Sequence, residues 1–435
     1  MALIEDRFEN TILALQGDAP RALVVRGDEG WALPVVRTHG HHPADVGPMR
    51  RAIRTELGID AFILACREVA VGEGVARRLL EVEPLAGSRD DHHWINAAEV
   101  ADMPPKEVVD GRDWTRPGWF KRATAWIERQ ATAAGWSIQS VDQIRTWEFS
   151  CVLRVETDRG DMYFKALPRT YAAEVPLIQQ LADWYPANVP EVVGADVRQR
   201  WVLLRACAGR CLEDGAPLTD WQRVARAYAE LQLASSARVD HLRAMGCHDR
   251  SPTVLQAAIG PLFADQAAFL VGDENGLTQA ELQRLRAWQP WLEAACAELT
   301  ASRLPLTLEH GDLWASNIYV SDAEPQFIDW TDACLSHPFL SLGPLLRSAG
   351  WDGQLRGDTG APRTIADAYL EAWSAYDRPP QLQHLLALAE PLAALHIAVT
   401  YWSLTPRPHQ QWWMPRGVPF FARMALELLP TAVVP

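Results

Sequence analysis

The string HGDLWASN at positions 310–317, with IDW at 328–330, constrains this chain more than any other stretch. It sets Asp312 five residues before Asn317, and Asp329 twelve residues beyond that asparagine. Leu306–Leu308 reads as a short buried strand entering the segment, and Ile318–Val320 as another. Ser321–Pro325 has turn composition, and Gln326–Ile328 runs back. A tight return of this kind brings Asn317 and Asp329 side by side. Two oxygen side chains converging there suit a hard cation such as Mg2+, which keeps some of its waters for substrate phosphates. Asp312, one loop away, is placed to accept a proton from an attacking hydroxyl.

HxDxxxxN followed by two hydrophobic residues and an aspartate resembles the protein-kinase-like small-molecule phosphotransferases. HGD followed by IDW is similar to their aminoglycoside phosphotransferase and choline kinase branch. The resemblance implies ATP and Mg2+ as cofactors, Asp312 as catalytic base, and Asn317 with Asp329 as Mg2+ ligands. His310 is expected to support the loop. The motif does not specify the acceptor.

The segment before the motif extends the resemblance. Cys151–Thr157 alternates as a strand, Asp158–Asp161 is a hairpin turn, and Met162–Leu167 returns carrying Lys165. After Pro168 a helix begins in which Glu174, Leu177, Ile178 and Leu181 share one face. The resemblance implies that Glu174 pairs with Lys165 and aims the ammonium at the α- and β-phosphates of ATP. Trp201–Arg205 reads as a further strand, followed by the small-residue crossover Ala206–Arg210. By the same resemblance Arg205, Ala206 and Cys207 lie at the hinge that holds the adenine. The hairpin expected over the phosphates, Arg145–Ser150, has no glycine, which leaves the Ser150 hydroxyl and backbone N–H groups as donors. Ser341 stands where relatives often carry an aspartate that anchors the catalytic loop.

Composition narrows the function classes. A 435-residue chain is long for one core, so two or three domains are expected. The net charge of −14 argues against a nucleic-acid partner, which calls for a basic surface, and is compatible with a cationic small substrate. Seven scattered cysteines read as reduced thiols of a cytoplasmic protein. The opening MALIEDRFEN has acids and no apolar run, unlike a signal peptide. Leu385–Trp402, interrupted by Glu390, Pro391 and His396, reads as a buried helix pair and not a membrane span. Only three of the 41 basic residues are lysines, Lys106, Lys121 and Lys165, which raises interest in Lys165 as a compact ammonium. The run Gln410–Met414 is a candidate aromatic lining for a cationic acceptor, although ordinary packing explains it as well.

The first hundred residues form another unit. Ala22–Arg26 and Trp31–Val36 make a hairpin pattern, and a helix is predicted over Pro48–Leu57. The order resembles a Nudix domain, with Arg51, Ile53, Glu56, Gly58 and Ile59 matching half of that family's REUxEExGU box. Ala52 and Thr55 replace two glutamates. Diphosphate hydrolysis needs several carboxylates around divalent metals, so the resemblance implies the fold without the activity. His39, His41, His42, His92 and His93 read as polar loop histidines.

The expected fold is α+β: a Nudix-like α/β domain over 1–112, a connecting helix over 113–135, and a bilobal kinase-like domain. Its small β-rich lobe and hinge span 136–210 and its large helical lobe 211–435. The function read from this is ATP-dependent phosphorylation of a hydroxyl on a small molecule such as an aminoglycoside, amino alcohol or sugar. The alternative is a catalytically silent nucleotide-binding regulatory protein. Sequence leaves the oligomeric state open.

Overall fold

The computed structural model describes residues 7–16, 21–27, 30–42, 44–72, 75–87, 92–96, 99, 111–351, 355–404 and 414–430. The chain divides into two compact units, one of residues 1–175 with 191–206, the other of 176–190 with 207–435.

The first unit holds two sheets. Strands β1 (Arg7–Gln16), β2 (Arg21–Gly27), β3 (Gly30–Ala32), β4 (Val35–His39), β5 (Asp60–Gly72), β6 (Val75–Ala86) and β7 (His93–Asn96) form a seven-stranded sheet. β1 lies at its centre, antiparallel to β2 and β4 and parallel to β6. Residues 31–36, expected as one strand, divide at Leu33–Pro34. Pro34 has no N–H for a ladder, and its carbonyl accepts from Ile12 N at 2.8 Å. β3 therefore pairs with β2 while β4 pairs with β1. Helix α1 (Gly47–Leu57) buries Met49, Ile53 and Leu57 against Ile12, Val36, Ile63 and Leu80. Gly58 ends it at φ 67°, a left-handed geometry that suits glycine.

The second sheet runs β11 (Val192–Asp196), β12 (Trp201–Arg205), β10 (Met162–Ala166), β9 (Cys151–Thr157), β8 (Ile138–Thr146). Helix α2 (Trp119–Ala133) supplies Trp119, Ala123, Trp126, Ile127 and Ala131 at helical spacing. These pack on Leu153, Phe164 and Trp201, and also on Phe62 and Leu64 of β5, so the two sheets share one core. Phe62 stacks on Phe120 at 5.0 Å. The buried Gln143 amide donates to Ile63 O and accepts from Ile63 N, both at 2.8 Å, in place of a strand partner. α3 (Glu174–Trp184) starts in this unit.

The second unit is mostly helical. It contains α4 (Leu218–Ser236), α5 (Val239–Ala244), α6 (Pro252–Ala264), α7 (Gln279–Ala301), α8 (Leu342–Trp351), α9 (Ala361–Leu370), α10 (Pro379–Leu404) and α11 (Met414–Leu428). Two small sheets hold its loops: β13 (Arg210–Cys211) with β16 (Ile318–Val320) and β17 (Gln326–Phe327), and β14 (His248–Asp249) with β18 (Cys334–Ser336) and β15 (Thr307–Glu309). The expected helix pair over 385–402 is one helix, α10, with Pro391 inside it. Apolar residues lie all round α10, as in an enclosed core helix, and packing carries it through the missing hydrogen bond. α10 is long and apolar enough to cross a membrane, and 72% of its most apolar stretch is buried inside the protein.

Candidate active site

The HGD–IDW return closes through one backbone bond. β16 and β17 pair antiparallel, and just beyond them Ile328 N donates to Asn317 O at 2.9 Å. That bond sets Asn317 beside the segment carrying Asp329. The Asn317 amide nitrogen donates twice to Asp312, to its backbone carbonyl at 2.9 Å and to its Oδ2 at 3.1 Å. Trp314 N also donates to Asp312 O at 2.8 Å. The three residues singled out in the sequence are thus held within one loop cluster. Asp329 sits at φ 62°, ψ 65°, a costly backbone region for a side chain with a Cβ. Thr331 Oγ1 donates to Asp329 Oδ1 at 2.5 Å.

Burial pushes the Asp312 carboxyl up to about 7, with Asp332 and Asp329 adding to the shift and Asn317 and Trp314 opposing it. A carboxylate near neutrality is a competent proton acceptor at physiological pH. Asp332 was not singled out in the sequence, although it follows Asp329 by three residues. Arg250 Nη1 lies 3.9 Å from its carboxylate and 3.4 Å from its backbone carbonyl, and β14–β18 pairing holds Arg250 N on Leu335 O.

His310 is fully buried. Its Nε2 lies 2.9 Å from Ile328 O, which can only accept, so Nε2 carries the proton. Nδ1 then accepts from Asp312 N at 3.4 Å, while His310 N donates to the Tyr228 hydroxyl at 2.9 Å. The ring packs on Trp330 at 4.6 Å. The next residue, Gly311, has φ +78°, and a Cβ there would meet Asp332 O at 2.2 Å. Only glycine fits.

Two aromatics flank the loop. Trp314 stacks on Trp351 at 5.6 Å and 7°, with the Arg347 guanidinium 4.9 Å from the Trp351 ring centre. The tryptophan within HGDLW was the available signal, but its partner lies on α8 and has no sequence cue. Trp412 and Trp413, the suggested acceptor lining, lie outside the described residues.

In the first unit, Lys165 Nζ lies 2.8 and 3.0 Å from the two carboxylate oxygens of Glu174. The reason is visible in β10, where Met162, Phe164 and Ala166 face the core and Lys165 points from the other face. Lys165 keeps 12% of its side-chain exposure and Glu174 5%. Ser150 is buried, and its hydroxyl oxygen accepts from Trp147 Nε1 at 3.0 Å. Trp147, Phe149 and Tyr171 stack edge to face around this glycine-free turn. Arg205 reaches Glu191 at 3.4 Å and Trp136 at 5.3 Å. Ala206 N donates to Asp161 O at 3.0 Å. In the second unit, burial pushes the Cys207 thiol up to about 12.

Among the described residues no three His, Cys, Asp or Glu side chains converge as a metal cage. The donors at the return are instead an amide oxygen and a carboxylate. The Asn317 nitrogen is committed to Asp312, so only its Oδ1 could hold a cation. An oxygen-only, partial set fits Mg2+, which retains waters, better than it fits zinc.

Residues 141–396 match the phosphotransferase enzyme family. No curated protein sequence matches the chain. Similar solved structures include a macrolide 2'-phosphotransferase from Brachybacterium faecium, 18% identical with a TM-score of 0.45, covering 72% of this chain and 99% of that one. A choline/ethanolamine kinase family protein from Mesorhizobium loti is 14% identical with a TM-score of 0.48, covering 72% and 95%. A choline kinase from Streptococcus pneumoniae is 13% identical with a TM-score of 0.47, covering 70% and 99%. The family match spans more than half of the chain and includes the whole HGD–IDW return, and the chain belongs to the phosphotransferase enzyme family.

Proposed function

We propose that the protein transfers the γ-phosphoryl group of ATP to a hydroxyl of a small molecule. One observation carries the reading: the Asn317 amide grips both the backbone and the carboxylate of Asp312, while Ile328 N ties Asn317 to the Asp329 segment. The acceptor oxygen forms a bond to the γ-phosphorus as the bond to the β-phosphate oxygen breaks. Its proton passes to Asp312, and ADP leaves. Lys165, aimed by Glu174, holds the non-transferred phosphates. Bound Mg2+, on Asn317 Oδ1 and Asp329, would neutralise developing charge. His310 and Gly311 shape the loop that presents Asp312.

The acids Asp312, Asp329 and Asp332 favour an acceptor bearing a positive charge, as aminoglycosides and amino alcohols do. The seven cysteines are scattered through the sequence without zinc-site spacing, which supports a cytoplasmic setting. Residues 1–112 are assigned a Nudix-like fold without hydrolase chemistry, because α1 carries Glu56 but Ala52 and Thr55 at the other acidic positions. A silent nucleotide-binding protein is the second reading. It is favoured by Ala206 N, which already donates to Asp161 O where the nucleotide would need a donor. ADP release from Mg·ATP across a panel of amino alcohols, sugars and aminoglycosides separates the two. Acceptor-dependent release supports the transferase, and nucleotide binding without release on every acceptor supports the silent protein.

A further inference from the structure

Glu309 immediately precedes the HGD motif and has no place in the mechanism above. It is 1% exposed, at the end of β15. Its Oε1 accepts from Thr307 Oγ1 at 2.7 Å and from Gln232 Nε2 at 2.5 Å. Its Oε2 accepts from Ser341 N at 3.1 Å, and the Ser341 hydroxyl also bonds the carboxyl. Gln232 is fixed in turn, donating to Pro338 O at 3.0 Å and accepting from the Tyr369 hydroxyl at 2.6 Å. Tyr369 donates to Pro338 O as well, at 2.8 Å.

The other side of this cluster meets the catalytic loop. Gly311 N donates to Ser341 Oγ at 3.4 Å. The Tyr228 hydroxyl bonds Ser341 and accepts from His310 N. The first two backbone N–H groups of HGD therefore end on oxygens fixed by one buried carboxyl, either one or two bonds away. Burial alone pushes that carboxyl up to about 8, against the donors from Ser341, Thr307 and Gln232. A buried acid of this cost needs a reason to be there. Neighbouring groups that face it are Tyr228, Tyr369 and the Cys334 thiol, all of them buried.

We propose that Glu309 is the positioning residue of the catalytic loop, supplying from the strand before HGD, through Ser341, the anchor that an aspartate at position 341 would supply directly. Ser341 is too short and too weak an acceptor to order Gly311 alone, and Glu309 fixes its rotamer and backbone. The pair is a split anchor: the acid lies on β15 and its extension lies before α8. Vacating Glu309 leaves room next to Ser341, so a carboxylate introduced there has space to reach Gly311 N. The inference takes Asp312 as the reacting carboxylate of the proposed transfer, but the anchor itself has a readout that does not depend on activity.

The test is amide hydrogen exchange of peptides covering 310–317 in the full-length protein, for wild type, Glu309→Ala, Ser341→Ala and the double variant Glu309→Ala/Ser341→Asp. Exchange is expected to quicken about tenfold in both single variants, the factor of one lost hydrogen bond, and to return to within about threefold of wild type in the double variant. If Glu309→Ala does not fold, Ser341→Ala carries the same expectation. Unchanged exchange at 310–317 in a folded single variant overturns the anchor. So does faster exchange spread evenly over the second unit, or failure of Ser341→Asp to restore it. ADP release measured beside it should fall in kcat with little change in the KM for Mg·ATP and recover in the double variant. Absence of release from wild type would count against the transferase reading alone.

Discussion

The side-chain amide of Asn317 holds Asp312 by two of its atoms, the backbone carbonyl at 2.9 Å and Oδ2 at 3.1 Å. One residue thus orients the proposed base with its nitrogen and leaves its oxygen for the proposed metal. Replacing Asn317 with alanine removes both functions. A hydrogen bond to a charged group is worth about 1.5–3 kcal/mol, so kcat should fall at least about tenfold and the Mg2+ requirement should rise. Steady-state ADP release against Mg2+ concentration reads both. An unchanged kcat with only a raised Mg2+ requirement would show that Asp312 needs no such grip.

Lys165 and Glu174 form a pair that is almost wholly buried. Glu174→Ala strands the ammonium and should destabilise the protein by about 3–5 kcal/mol, whereas Lys165→Met with Glu174→Leu should recover most of that loss. Lys165→Met alone should weaken nucleotide binding. Urea unfolding with nucleotide titration measures each variant. A double variant no more stable than Glu174→Ala would show that the cost is one of packing and not of charge.

The local return around HGD and IDW was legible because spacing and turn composition act over a few residues. β16 occupies Ile318–Val320 as read, and β9 occupies Cys151–Thr157. The Lys165–Glu174 pair was legible from an acid on an apolar helical stripe taken together with the family resemblance. What escaped were contacts with no local pattern. Asp332 bears on Asp312 only because Gly311 lets the backbones approach. Glu309 carried no cue in the sequence, and its role shows only with Ser341, 32 residues away, beside it. The shared core of the two sheets rests on Phe62 meeting Phe120 and on Gln143 replacing a strand partner of Ile63. Neither residue type announces such a role.

Gly311 should tolerate no side chain. Its φ of +78° and the 2.2 Å approach of Asp332 O to a would-be Cβ mean that Gly311→Ala must move the loop. Backbone strain of this kind costs about 1–3 kcal/mol before the clash is counted. Chemical unfolding should show a loss of at least about 1 kcal/mol, with ADP release lost as well. Full stability and activity would mean that the loop relaxes freely.

His337 and His396 are buried, and burial pushes each from 6.5 down to about 3. Both are neutral in the folded chain at mildly acidic pH and charged in the unfolded chain. Stability is complete above pH 6.5 and is lost as pH falls from 6.5 toward 3, by up to about 1.4 kcal/mol per pH unit for each group. His337 Nδ1 accepts from Phe339 N, a capping role that asparagine can also fill. His337→Asn should therefore flatten the decline of stability between pH 6 and 4 by about one proton's share. An identical slope in wild type and variant would remove His337 from the explanation.

Asp312→Asn keeps the size of the carboxylate and one of its acceptor oxygens but cannot take a proton. Acceptor-dependent ADP release by this variant, beside Mg·ATP affinity measured on the same sample, tests the proposed chemistry most directly. Release should fall by about 100- to 10,000-fold, while affinity stays within about threefold of wild type. Equal turnover in the two proteins would contradict the assignment of Asp312 as the base.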